Sequence, residues 1–109
     1  MAWTQEATGS TTVGTGESTL TTETTNGTYV FIYRINSLAL GDEFVFRVRA
    51  KVLTGDASGG SVLHEWYVRN PQQEPAHISV PFVNRYQIEV RAQKIAGTDR
   101  TVDWEVWST

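Results

Sequence analysis

Residues 43–53 read EFVFRVRAKVL, and a hydrophobic side chain occupies every second position of this stretch. One set of alternate positions holds Phe44, Phe46, Val48, Ala50 and Val52. The other set holds Glu43, Val45, Arg47, Arg49 and Lys51. Because successive side chains of an extended chain point to opposite faces, this pattern predicts a β-strand with one face on a core and the other mostly in water.

The same two-residue period recurs on both sides of this stretch. Strands are predicted at 28–35, 61–69, 77–82, 86–95 and 100–107, separated by Gly-, Pro- and Asp-containing turns. In the 61–69 strand, Val62, His64, Trp66 and Val68 share one face. No segment has a 3.6-residue period. The chain is therefore predicted to be an all-β, antiparallel sandwich or jelly roll of about seven to eight strands. Its core is expected to contain the aromatic residues Phe44, Phe46, Trp66, Tyr86 and Trp104.

The N-terminal region differs in composition, because ten of the fifteen threonines lie within residues 1–27. Two interpretations stay open. These residues form either a disordered polar arm or edge strands, since threonine is β-branched and fits a pleated surface. We divide the chain into residues 1–20, the arm or edge strands, and residues 21–109, the sandwich domain. Trp3 is too large and apolar to stay in water, so we expect it to dock either on this domain or on a neighbouring subunit, where it would anchor residues 1–20 if they are an arm.

Composition excludes several classes of protein. The chain has 109 residues, a net charge of −3 and no cysteine. It is long enough for one core, and it cannot form disulfides or thiolate metal sites. Basic residues are not clustered as nucleic-acid binding requires. No apolar run approaches the length of a membrane helix, and the N-terminus does not resemble a secretory signal. We expect a soluble protein made in the cytoplasm, with no nucleic-acid or membrane partner.

Catalytic groups are sparse. His64 and His77 are the only histidines, and neither has the spacing of a metal site or of a nucleophile with its base. Asp103 and Glu105 stand two apart on the predicted solvent face of the last strand, at a separation that glycosidase carboxylates can have. A solvated strand face explains them better. We predict no enzyme activity, no cofactor and no metal.

Exposed aromatic residues are the candidate contact sites. Tyr67 and Trp107 fall on the outward phase of their strands, and Trp3 lies outside the alternating pattern. Exposed aromatic side chains anchor protein–protein contacts, and in carbohydrate-binding sandwiches they stack on sugars. We predict Trp3, Tyr67 and Trp107 as partner-binding residues, with subunit contact favoured over sugar binding.

A longer pattern resembles a known class of protein. Residues 20–52 run from a Thr-rich entry into a hydrophobic strand, through Leu38-Ala39-Leu40-Gly41-Asp42, and into a strand that ends in basic residues. This order, and the closing segment AGTDRTVDWEVW at 96–107, resemble small capsid-decoration or accessory virion proteins of tailed bacteriophages. Arg34 stands where that pattern offers an aspartate, so no site is carried over there.

The resemblance implies a structural protein of the virion that binds the outside of a shell. The partners it implies are the major capsid protein or other virion subunits, together with further copies of the chain in a homo-oligomer. The alternative is a carbohydrate- or surface-binding β-sandwich module.

Overall fold

The computed structural model describes residues 2–36, 38–69 and 76–109. Within these ranges the chain forms nine β-strands and no helix. The strands are β1 (Thr4–Val13), β2 (Ser18–Glu23), β3 (Gly27–Ile35), β4 (Glu43–Ala50), β5 (Ser61–Arg69), β6 (Ala76–Ile78), β7 (Phe82–Asn84), β8 (Ile88–Ala96) and β9 (Arg100–Ser108). All pairings between them are antiparallel. The predicted all-β sandwich is confirmed.

The strands form two sheets that pack face to face. Sheet A has the order β1-β9-β3, and both β6 and β7 pair with the far side of β3. Sheet B has the order β2-β8-β4-β5. The strands β1 and β2 are in contact along one side of the sandwich, and residues of β5 and β7 line a common groove on the other. Each side of the molecule therefore consists of two sheet edges.

The ninth strand arises because the predicted 77–82 strand is divided in two. The backbone N–H of Ser79 donates to the carbonyl of Phe31 at 2.8 Å, and the N–H of Phe31 donates to Ser79 Oγ at 2.9 Å. Pro81 follows, and it has no N–H for a sheet ladder. Regular pairing with β3 therefore stops after Ile78 and resumes at Phe82.

An aromatic cluster occupies the middle of the core. The ring of Phe46 lies 4.4 Å from that of Tyr33, 5.9 Å from Phe31 and 5.7 Å from Trp66, centroid to centroid. Trp66 is partly buried and donates its Nε1–H to the Tyr33 hydroxyl at 2.8 Å. The predicted inward positions of β4, β8 and β9 are buried at Phe44, Phe46, Val48, Ala50, Ile88, Val90, Ala92, Val102, Trp104 and Val106.

Three positions predicted to point inward do not belong to the core. Val52 is exposed because β4 ends at Ala50 and the N–H groups of Val52 and Leu53 turn to bond Asp56 Oδ2. Tyr86 is only partly buried because it precedes β8. Val62 is exposed because the pairing of β5 with β4 shifts by one residue next to it.

The shift at Val62 is a β-bulge. His64 pairs with Val48, but Val62 pairs with Arg49, so Leu63 is the extra residue. A bulge reverses the phase of the strand beyond it. Val62 therefore joins the outward face with Arg49, whereas Trp66 and Val68 keep the predicted inward phase.

The Thr-rich start forms edge strands rather than a separate arm. β1 pairs with β9 over its whole length, and β2 pairs with β8. The hydroxyl of Thr8 also donates to the carbonyl of Trp104 at 3.0 Å. Because β1 belongs to sheet A, a variant that lacks residues 2–15 would leave β9 exposed. A loss of partner binding in that variant would therefore not show that these residues dock on a partner.

Glu17, in the loop between β1 and β2, joins two arginines on the outer face of sheet B. Arg47 and Arg91 are paired directly opposite each other on β4 and β8. The Glu17 carboxylate accepts from Arg47 at 2.7 Å and from Arg91 at 2.9 Å. Burial raises the pKa of Glu17, but the hydrogen bonds and charges of the two arginines outweigh it, so the pKa lies below the ordinary 4.5.

We expect Glu17→Gln to lower the free energy of unfolding by about 1 kcal/mol at pH 7, since the pair of arginines loses its anion and all three groups are partly solvated. Because the folded pKa is depressed, this contribution is complete above pH 4.5 and disappears as pH falls through the folded value. Urea unfolding of both proteins between pH 7 and pH 3 measures the difference. A difference that persists unchanged at pH 3 would contradict the ion-pair explanation. Glu105→Gln is the control, because Glu105 accepts from Gln5 and Trp107 and not from a cation.

Candidate functional site: outer face of sheet A and the open side of the sandwich

The three residues predicted to bind partners lie on two different faces. Trp107 is on the outer face of sheet A, between Gln5 of β1 and Val30 of β3. Trp3 is half-exposed and stands two positions before Gln5. Tyr67, also half-exposed, lies on β5 in sheet B. The structure thus brings Trp3 close to the strand end that holds Trp107, but one small ligand cannot contact both Trp107 and Tyr67.

Trp107 is also held by its own strand. Its Nε1–H donates to Glu105 Oε2 at 3.1 Å, and the other carboxylate oxygen of Glu105 accepts from Gln5 Nε2 at 3.1 Å. This arrangement keeps the indole over the sheet, where it is partly buried. The ring is therefore a fixed feature of the face.

A shallow depression of about 510 Å³ lies beside Glu105 on the same face. The side chains that border it include Ser10, Ile32, Arg34, Asp103 and Glu105. Three of these are charged, and Ile32 adds an apolar surface. The depression can accept a polar group, but it is open to solvent along the sheet.

Asp103 at the border of this depression is a fully hydrogen-bonded anion. It accepts from Ser10 Oγ, from Asn36 Nδ2 at 2.9 Å and from Arg34 Nη2 at 2.7 Å. These hydrogen bonds hold the pKa of Asp103 well below its ordinary value of 3.8, and the one from Ser10 makes the largest contribution. A carboxylate that stays ionised and is occupied by three neighbours is poorly suited to donate a proton.

The two histidines lie away from these carboxylates. The His64 ring packs 5.1 Å from Trp66, and the His77 ring packs 5.3 Å from Tyr33. Because Trp66 of β5 and Tyr33 of β3 contact each other, both histidines flank one aromatic pair. Neither lines the depression beside Asp103. Among residues 2–36, 38–69 and 76–109, no three His, Asp or Glu side chains are grouped as a metal site requires.

A lateral apolar surface covers the side of the sandwich formed by β5, β6 and β7. We define it by Leu63, Val80 and Val83, whose exposed fractions are 52%, 55% and 67%. Leu63 and Val80 also line a groove of about 390 Å³ together with His64, Pro81, Phe82 and Val83. Solvent-exposed aliphatic groups at an unpaired sheet edge favour contact with another molecule.

The opposite side of the sandwich is polar. The exposed side chains there belong to β1 and β2, and they include Thr8, Ser10, Thr12, Thr19 and Thr22. Both sides of the sandwich are formed by sheet edges, but only one of them carries exposed aliphatic side chains. Sheet edges alone therefore do not explain the apolar side, and we take it as the candidate contact surface.

The lateral apolar surface was not predicted from the sequence. The alternation places Leu63 on the face opposite Trp66, Val80 lies in a predicted strand without an assigned face, and Val83 lies outside the predicted strands. One signal was present, because Pro81 marked its strand as an edge. Aliphatic residues on a strand that is known to be an edge would have indicated this surface.

Comparison with protein-family models, with curated proteins and with solved structures found no match to this chain. The resemblance to bacteriophage virion proteins therefore stays a prediction. No helix among the described residues is long and apolar enough to cross a membrane.

Proposed function

We propose that this chain is a non-enzymatic structural protein of a virus particle, which decorates or reinforces a bacteriophage capsid by binding the shell surface as an oligomer. The lateral apolar surface is the observation that carries the proposal. The pattern of residues 20–52 and 96–107, which resembles accessory virion proteins, supplies the class of partner.

The energetic argument concerns the exposed aliphatic side chains. Leu63, Val80 and Val83 expose 52%, 55% and 67% of their surface. Burial of apolar surface contributes about 25 cal/mol per Å², and a groove between two sheet edges can receive side chains of a partner. A subunit of an assembly covers such a surface, whereas a free monomer leaves it in water at risk of aggregation.

The carboxylates and histidines are consistent with a binding role. Asp103 and Glu105 bond neighbouring side chains of sheet A, and His64 and His77 pack on aromatic rings at the other side of the sandwich. The carboxylates and histidines are thus engaged in contacts that stabilise the fold. Because they are engaged in this way and lie on different sides of the sandwich, they support an assembly role over a hydrolytic one.

We expect the double variant Leu63→Glu, Val83→Glu to lower incorporation into particles by tenfold or more, since two carboxylates would be buried without partners on docking. The measurement is mass spectrometry of gradient-purified particles from the cells that produce them. The matched control is Thr12→Glu, Thr19→Glu on β1 and β2, which adds the same charge to exposed positions of the polar side. Circular dichroism confirms that both variants are folded. Absence of the wild-type chain from particles, or equal incorporation of both variants, would contradict the proposal.

Carbohydrate binding is the second candidate, and the outer face of sheet A is the feature that favours it. Trp107 lies on that face near the depression bordered by Arg34 and Asp103. Glycan binding that is lost in Trp107→Ala and retained in Tyr67→Ala would support this alternative, because Tyr67 belongs to the other sheet. Incorporation into particles without glycan affinity would favour the virion role.

A further inference from the structure

Within the part of the chain that the structure describes, β5 is an edge strand of sheet B. β5 pairs with β4 on one side, and no other strand of the described chain pairs with it. Its residues 64–69 keep a regular register with β4, because the bulge at Leu63 lies before them. An unbulged edge strand of this kind can accept a further strand.

The other sheet edges are less suited to accept a strand. β1 and β2 each contain a register shift, at Glu6 and Leu20. β6 and β7 have only three residues each and are separated by a segment that includes Pro81. Bulges, short strands and proline are the devices that block edge pairing. Residues 64–69 of β5 have none of them.

The charge order on the outward face of β5 is self-complementary. This face carries Glu65, Tyr67 and Arg69, an anion and a cation on either side of an aromatic residue. We propose that β5 pairs with β5 of a second copy of this chain in antiparallel fashion, with Tyr67 opposite Tyr67 of the second copy. This inference deepens the proposed function, because it names one partner of an assembling subunit.

The register follows from the charges. Centring the pair on Tyr67 places each Glu65 opposite Arg69 of the other copy, and opposite charges across strands are favourable. Centring it on Glu65 would place two like charges face to face. Centring it on Trp66 would leave Arg69 opposite Leu63. The pairing on Tyr67 is therefore preferred.

This pairing also extends a charge network that exists within each chain. Arg69 Nε donates to Glu43 of β4 at 2.5 Å, and Arg47 Nε of β4 donates to Glu65 at 2.6 Å. In the dimer, the row across sheet B would run from Glu43 through Arg69 to Glu65 and Arg47 of the second copy. Charges of opposite sign alternate along that row, so Arg69 and Glu65 each gain an oppositely charged neighbour and keep their present partners on β4.

Tyr67 would become the centre of the contact. Tyr67 is 48% exposed, and the guanidinium of Arg69 lies 5.5 Å from the centroid of its ring. The Cβ atoms of two directly opposite residues in an antiparallel pair lie about 4.5–5.5 Å apart, so the two tyrosine rings would be in contact. The groove at Leu63 and Val83 adjoins the paired segment, because His64 lines the groove and precedes Glu65 directly. Shell binding would use Leu63 and Val83, whereas self-pairing would be centred on Tyr67.

Single-cysteine cross-linking tests the register, because the chain has no cysteine of its own. We expect Tyr67→Cys to form a disulfide-linked dimer on mild oxidation. Glu65→Cys and Arg69→Cys should not cross-link alone, since identical residues would lie about 13 Å apart along the strands, beyond the reach of a disulfide. A mixture of Glu65→Cys and Arg69→Cys should cross-link. Thr12→Cys on β1 is the control for random collision.

Light scattering on the full-length wild-type chain is the independent measurement, and we expect a mass of twice 12.2 kDa at high concentration. A monomer at every concentration, with Tyr67→Cys no more cross-linked than Thr12→Cys, would overturn the pairing. Self-cross-linking of Glu65→Cys as strong as that of Tyr67→Cys would overturn the register. These outcomes concern the purified chain alone, so they are distinct from a failure of particle incorporation.

Discussion

Replacement of Phe46 by alanine is expected to lower the free energy of unfolding by about 4 kcal/mol, the largest effect we predict for a single side chain. Phe46 is fully buried on β4, and its ring lies within 6 Å of the rings of Tyr33, Phe31 and Trp66. Truncation removes the transfer free energy of the ring and leaves a cavity that rigid aromatic neighbours cannot fill. Chemical denaturation followed by tryptophan fluorescence measures the loss.

Two further variants make this result interpretable. Phe46→Leu fills most of the space and should cost below about 2 kcal/mol, so it remains measurable if the alanine variant does not fold. Val83→Ala removes an aliphatic group that is 67% exposed and should change stability by about 0.5 kcal/mol or less. A loss for Phe46→Ala as small as that for Val83→Ala would mean that the aromatic cluster does not stabilise the fold.

Replacement of Gly97 by alanine is expected to cost about 3 kcal/mol, because it combines backbone strain with a steric clash. Gly97 has a φ of +92° in the turn between β8 and β9, and a Cβ there would lie 2.0 Å from Asp42 Oδ1. Residues with a side chain avoid such φ values. The variant must therefore move either its own turn or Asp42. Thermal and urea unfolding both measure the effect.

Asp42 explains why the clash matters. This buried carboxylate accepts from the N–H groups of Ala39 and Thr98 and from Arg100 Nε, at 2.8–3.1 Å. The backbone N–H groups and then Arg100 hold its pKa below the ordinary 3.8. It thereby joins the turn before β4 to the turn before β9. Displacing Asp42 would release the contacts between these two turns together.

Gly41 provides the matched control for Gly97. It has the same φ of +92°, but a Cβ at Gly41 would meet nothing within 4 Å. Gly41→Ala should therefore show the backbone strain alone, about 1 kcal/mol. An equal loss for the two variants would show that the close approach to Asp42 contributes nothing.

The local pattern was sufficient for β4 and β9, which contain no extra residue of their own where their partners shift register. The alternation of Phe44, Phe46 and Val48 predicted both β4 and its buried face, as did that of Val102, Trp104 and Val106 for β9. Hydrophobic side chains at every second position leave a strand only one low-energy way to face the core. The fold class followed from several such segments.

The alternation predicted the wrong face or the wrong burial at two kinds of position. One is where strand pairing shifts by one residue, and the other is where the side chains that bury a residue come from distant parts of the chain. Val62 was predicted to share a face with Trp66, yet the Leu63 bulge turns it to the opposite face, where it is exposed. Val45 was assigned to the solvent face, yet it is fully buried between Tyr67 and Gln93 on the neighbouring strands. Neither neighbour is close to Val45 in sequence, so its burial could not be inferred from the residues around it.

The candidate contact sites show the same division. Trp3, Tyr67 and Trp107 were selected as exposed aromatic residues, and all three retain some exposure. Their placement on two sheets was not predictable, because it depends on which strands pair. The lateral apolar surface was missed for the same reason, since Leu63 and Val83 belong to different sheets and meet only at a shared groove.

The sequence alone determined that this chain is built from two-faced strands and that these strands form a β-sandwich, because alternation acts between neighbours in the chain. The tertiary structure alone decided which strands end as open edges and which exposed aliphatic groups come together there. Strand order and register are set by pairing between segments far apart in the chain, and the energy of that pairing is not encoded in any single segment.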